Sequence, residues 1–498
     1  MTEPCDLTAI EARRLIGRRA LSPVELLESC LARTDATDHA VNAMVARDDT
    51  ASRAAAKAAE AAVMRGDALG ALHGLPVGIK DLTATKGLRT TWGSPLFRDH
   101  VPDEDHSLVA NIRAAGGIIA GKTNTPEFGA GANTRNNVYG ATGNPFDPSK
   151  NAAGSSGGSA VALAVGQVPL CSGSDMGGSL RNPAAFCGIV GYRPTPGLVP
   201  DEEKKLGWSG LGVQGPMARN VADLCLLLSV MATDDGCDPL ATTIHGKRVH
   251  DPRDFHPVQS IDLGGLRVAV TPDFGFAPTE NHIREVFAEK LSLFKHAFRS
   301  VAGATPDCSG TDEAFEVLRS TNFVAGHIER WHTARDQLGP NIVANMEAAL
   351  KYTIADVSRA SALQTQLYHR WQAFFGEFDI ILSPSITISP RPWTELFPKE
   401  IDGKPTRTYF HWLSLAYAVT TVGHPAVSLP VGRDRAGMPF GLQIVGRRGA
   451  DAQVLQVAAA LEEMLAADPR TRRPVPDIAG LKAAPPISAM PHFMGFNA

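Results

Sequence analysis

From Gly74 to Gly191 the chain is a succession of short apolar runs (Val77 to Ile79, Ile118 to Ala120, Val168 to Cys171) punctuated by glycine, serine and proline. That texture fits short β-strands joined by glycine-rich loops and alternating with helices such as 159–166. The flanks differ. Residues 1–64 read as helices, with Ser22-Pro23-Val24-Glu25 forming a capping box and Val24, Leu27 and Leu31 an apolar face. An alanine-rich helix from about Thr50 stops at Gly66. Downstream, Leu266–Val270, Asp379–Leu382, Ala426–Leu429 and Gly441–Val445 read as strands. Helices are expected near 280–299, across 310–375 and over 451–465.

At roughly 150 residues per domain, 498 residues set an upper bound of about three domains. No internal repeat or linker divides them, so one large α/β domain with helices on both faces is the economical reading. Residues 1–64 are then a helical segment packed on the core, 65–466 the α/β domain, and 467–498 a proline-rich tail, extended or poorly ordered.

Forty-eight basic against 52 acidic side chains leave −4, too balanced for a general nucleic-acid or anionic-membrane binder. No apolar stretch approaches the roughly 18 residues of a membrane span, and the N-terminus lacks a secretory layout. The seven cysteines are scattered without a C-x-x-C pair, which points to buried thiols in a reducing cytoplasm. Fifteen histidines contain no H-E-x-x-H, and His327 and His332 fall on different faces of a helix. No metal and no cofactor are expected.

Four motifs remain. Gly116-G-I-I-A-Gly121-Lys122-Thr123 spells a P-loop, but Ile118-Ile119-Ala120 occupies the would-be loop and Pro126 follows too soon; a strand opening after a Gly-Gly turn explains it better. Gly154-Ser155-Ser156-Gly157-Gly158 spells a nucleophile elbow, yet the two prolines just upstream cannot lie in a central strand. Taken alone it reads as a loop capping the apolar helix that follows. Gly173-Ser-Asp-Met-Gly-Gly-Ser179-Leu-Arg181 lets successive amides converge on one point, with a serine hydroxyl beside them; its bland reading is a tight loop at a strand end. Lys80 closes an apolar strand, where burial would lower its pKa and free it to act as a base; the alternative is a strand-end lysine paired with Asp81. Together these supply a nucleophile, oxyanion donors, a second hydroxyl and a base without a histidine.

In order and separation, Lys80, Gly154–Ser159 and Gly177–Arg181 resemble the amidase signature family of serine hydrolases. Gly121–Phe128, Gly215–Arg219, Val221–Asp223 and Gly441–Gly446 agree with it. The resemblance implies one domain with a mixed, twisted central sheet flanked by helices, its catalytic core at about 74–223. It implies Ser179 as acylated nucleophile, Ser155 as bridging serine behind a cis bond from Gly154, and Lys80 as base, with Ser156 in support. The amides of Met176, Gly177, Gly178 and Ser179 would form the oxyanion hole, with Asp175 and Arg181 bracing the loop. The expected substrate is a small-molecule amide or carbamate, handled by a monomer or homodimer without nucleic acid or membrane. The runner-up is the amidase component of a tRNA-dependent amidotransferase, from which Gly129–Asn137 and the last thirty residues depart. A non-catalytic binding protein on the same fold is the remaining alternative. Candidate pocket walls are Phe128, the 196–214 loop with Trp208, and the bulky 320–372 segment, most of whose aromatics read as helix packing. Five charged residues at 201–205 make that loop exposed and mobile in this reading.

Overall fold

Ser22 Oγ accepts from the Val24 N–H at 2.9 Å while Glu25 reaches back to the Ser22 N–H at 2.9 Å, closing the capping box that starts the helix Pro23–Val41. The computed structural model describes residues 3–233 and 236–494. Eleven strands form its main sheet: β1 (Met44–Ala46), β2 (Pro76–Lys80), β3 (Ile118–Thr123), β4 (Leu170–Asp175), β5 (Val190–Arg193), β6 (Val213–Ala218), β7 (Arg267–Val270), β8 (Ser300–Gly303), β9 (Ile380–Pro384), β10 (Ala426–Arg433) and β11 (Pro439–Val445). Their order is β1-β3-β2-β4-β6-β5-β10-β11-β9-β7-β8. β2 runs parallel to β3 and β4, β7 runs parallel to β8 and β9, and the other pairs are antiparallel. The α/β class and the mixed sheet expected from the sequence are both present.

Successive strand residues fall into different cores. Ile119, Leu170 and Ala218 join one apolar cluster, whereas Ala120, Cys171 and Met217 join another. A period of two side chains per pleat puts these clusters on opposite faces, which is why the helices cover both. β2 and β3 are buried throughout, leaving their ends as the places where chemistry can meet solvent. The P-loop lookalike is therefore a strand: Lys122 Nζ is spent on the Thr83 carbonyl and, at 2.8 Å, on Thr85 Oγ1.

The tail differs from its expectation. It carries a helix, Ile478–Ala483, whose Leu481 packs into the second core, while Ile487 packs with Ala141 and Trp393. Proline content reports only backbone restriction; two apolar side chains decide that this segment docks. The 196–214 loop differs in part: Glu202, Glu203 and Lys205 are exposed as expected, but the loop is anchored on either side of them. Asp201 is buried and bonded by His106 Nε2 at 3.3 Å and Gln214 Nε2 at 3.2 Å, and Leu198, Val199 and Leu211 are buried beside it. Counting charges along the loop could not reveal those partners.

Candidate active site

Lys80 is the last residue of β2, and its side chain is fully buried. Nζ donates to Ser155 Oγ at 2.7 Å and to Ser174 Oγ at 2.9 Å. No carboxylate forms an ion pair with it among the described residues, and Asp81, its bland partner, instead accepts from Thr91 N–H and Oγ1. Burial disfavours the ammonium and lowers the Lys80 pKa to about 7, against a smaller opposing pull from Asp175.

Ser155 lies in the loop before the helix Gly157–Ala164, after a cis Gly154–Ser155 peptide. The first turn of that helix approaches the backbone just after β3 closely: a Cβ at Gly158 would stand 2.2 Å from Asn124 N, so glycine is required there. Ser156 is fully buried, and its N–H donates to the Ser179 carbonyl at 3.3 Å, tying this loop to the one after β4.

The second loop begins at Asp175. Its carboxylate accepts from the Gly178 N–H at 3.0 Å, the Leu180 N–H at 3.2 Å and Arg181 Nε at 3.0 Å, and from Arg193 at 3.3 Å. The two guanidinium groups and these amides hold Asp175 well below the usual carboxylate range in spite of complete burial. Arg181 continues to Gln443 Oε1 at 2.6 Å, Thr420 Oγ1 at 3.1 Å and the Ala416 carbonyl at 2.9 Å. A rigid ion-paired bracket thus fixes the turn. Gly178 has φ +100°, and a Cβ there would sit 2.4 Å from Ala416 Cβ.

The four amides of this turn differ in their partners. The Gly178 amide is committed to Asp175, whereas the amides of Met176, Gly177 and Ser179 make no hydrogen bond among the described residues. Three of the four amides are therefore unpaired among the described residues, and one is spent inside the turn. Arg193, Gln443 and Thr420 were missed as parts of the bracket. An arginine ending the apolar strand Val190–Tyr192 was the available signal, the same anomaly that singled out Lys80.

Ser155 and Ser179 both line a cavity of about 440 Å³, and Ser179 Oγ has no hydrogen-bond partner among the described residues. Phe128 lines it, together with Phe97, Phe315, Phe323 and Phe410. Trp208 does not. It is 80% exposed, while its neighbours Leu206 and Ser209 line the cavity, so that wall is built from the loop without its tryptophan.

Residues 25–455 match the family described as Amidase. An acylamidase of Rhodococcus erythropolis is 34% identical over 463 residues, covering 92% of this chain and 95% of that one. A subunit of the glutamyl-tRNA(Gln) amidotransferase of Chloroflexus aggregans is 33% identical over 504 residues, covering 95% and 99%. The crystal structure of a bacterial aryl acylamidase belonging to the amidase signature enzymes aligns with a TM-score of 0.85 at 25% identity, over 97% of this chain and 99% of that one. The chain belongs to the amidase signature family, a family of amide-hydrolysing enzymes. Among the described residues no helix is long and apolar enough to cross a membrane.

Proposed function

We propose that the chain hydrolyses the carbonyl C–N bond of small-molecule amides or carbamates through an acyl-enzyme on Ser179. The observation that carries this reading is the 2.7 Å contact from Lys80 Nζ to Ser155 Oγ in an enclosure that brings the lysine pKa to about 7. Neutral Lys80 takes the Ser155 proton as Ser155 takes that of Ser179, and Ser179 Oγ attacks the carbonyl carbon. The amides of Met176, Gly177 and Ser179 receive the oxyanion, preorganised by the Asp175–Arg181 bracket. The proton returns through Ser155 to the departing nitrogen, and water then releases the acid. The aromatic cavity favours an aryl or alkyl substrate, and the enzyme works in the cytoplasm without other protein components.

The test is turnover by the purified chain alone on anilides, primary amides including glutamine, and aryl carbamates. Turnover that vanishes in Ser179→Ala at an unchanged melting temperature is expected. Glutamine hydrolysis that needs the other components of an amidotransferase would replace this reading with the role of a component in such a complex.

A further inference from the structure

Arg319 lies in the helix Thr311–Thr333, which presents Arg319, Asn322, Phe323, Gly326, His327 and Arg330 to the cavity. Their spacing of three and four residues is one helix face, so this face forms a continuous wall. Arg319 is only 7% exposed, yet no carboxylate lies within 4 Å of it among the described residues. Its guanidinium donates to Asn345 Oδ1 and Tyr409 Oη, both neutral, and stands over the rings of Phe323 at 4.3 Å and Phe410 at 4.6 Å. A buried charge held only by neutral partners lacks the counter-charge that normally accompanies burial. The cavity carboxylates beyond Asp175 do not supply it: Asp201 is bonded to His106 and Gln214, and Glu203 feels His106 and Lys122.

We infer that Arg319 is a specificity residue for substrates whose acyl group carries a carboxylate, that is, monoamides of dicarboxylic acids. The side of the scissile bond follows from the two serines, and so this inference rests on the proposed relay. A Cβ at Gly129 would stand 3.4 Å from Ser155 Oγ, which puts the Phe128–Gly129 backbone beside the serine that protonates the leaving nitrogen, and Phe128, with Arg330 over its ring, lines the same cavity. A Cβ at Gly177 would stand 3.7 Å from Phe315 Cζ and from Leu413 Cδ1, and Arg319 is one helical turn beyond Phe315. The amine therefore leaves along the Phe128 side, and the acyl chain runs past Phe315 toward Arg319. The carboxylate end of that chain completes the ion pair.

The probes are N-phenylsuccinamate against the neutral N-phenylpentanamide, and 4-acetamidobenzoate against acetanilide. Wild-type kcat/KM should favour the succinamate over its neutral counterpart by at least tenfold. Arg319→Met should remove at least tenfold of that preference, chiefly through KM, and leave the 4-acetamidobenzoate to acetanilide ratio unchanged. Arg330→Met should leave the succinamate preference intact. A wild-type preference for the neutral anilide, or equal losses on both members of the first pair in Arg319→Met, would overturn the assignment. If Arg319→Met does not fold, the wild-type ratio decides, since an ion-pair preference must shrink as sodium chloride rises. Binding of N-phenylsuccinamate to Ser179→Ala, with and without Arg319→Met, reads the same site without turnover. A tenfold weaker dissociation constant in the double variant supports Arg319 even if the relay proves wrong, and equal constants refute it.

Discussion

Replacing Lys80 by methionine should stabilise the protein while abolishing its activity, and the stabilisation should depend on pH. Methionine keeps the length of the side chain and has no proton to bind. The folded-state pKa of Lys80 is about 7 against an ordinary 10.5. Between those values the unfolded chain binds the extra proton, so the wild type gains stability as pH rises through the window. Below about pH 7 the penalty is full, about 5 kcal/mol at roughly 1.4 kcal/mol per pH unit. At about pH 9 only some 2 kcal/mol remains, so the difference between variant and wild type should be about 3 kcal/mol larger at about pH 6 than at about pH 9. With about 2.1 cal/mol/K of unfolding entropy per residue, a chain this long shifts by about 1 °C per kcal/mol, or about 3 °C in the difference of melting temperatures. Calorimetric scans of both proteins at the two pH values measure it, because groups common to both cancel. A difference constant within about 1 °C would mean that the lysine keeps its proton throughout, and the base role would fall with it. Wild-type kcat/KM should rise through the same titration, with an apparent pKa near 7 and a plateau above it.

Lys80→Ala should lose at least about tenfold more kcat/KM on an anilide than on the matching activated ester, since only the amine needs a proton to leave and positioned proton transfer is worth about 10²–10⁴-fold; equal losses would make Lys80 a structural group. Gly178→Ala, whose Cβ would meet Ala416 Cβ at 2.4 Å, should lower kcat by about 10²–10³-fold by displacing the turn's amides; near-normal kcat in a folded variant would show that the turn is not the oxyanion site. Asp175→Asn leaves Arg181 and Arg193 without their shared buried counter-charge and should cost about 3–5 kcal/mol, read as a melting temperature about 3–5 °C lower. An unchanged melting temperature would show that the two arginines are held by their carbonyl and amide partners alone.

What was legible in the chain was local. Pro76–Lys80, Ile118–Thr123 and the capped helix at Pro23 announce themselves through apolar runs, turn residues and capping side chains within a few positions of one another. The glycine clusters around Ser155 and Ser179 mark places where backbone approaches backbone, and the lysine at the end of a buried strand is a local anomaly visible before folding. Those signals, joined by a family resemblance, were enough to nominate Lys80, Ser155 and Ser179 for one site. Their separations of 75 and 24 residues carry no distance information.

Tertiary structure alone decided how those residues meet. Parallel pairing of β2 with β4 brings Lys80 to Ser174, and the packing of the helix Gly157–Ala164 brings it to Ser155. Arg193 and Gln443, far apart in the chain, close on the Asp175–Arg181 pair because β5, β6, β10 and β11 lie side by side. Phe128 lines the cavity and Trp208 does not, although both are large aromatics outside the strands and α-helices, because exposure depends on what the fold sets opposite them. The lysine pKa follows the same rule. Sequence supplies the amine, but desolvation is a property of all the atoms that surround it, and those atoms come from segments that only the completed sheet assembles.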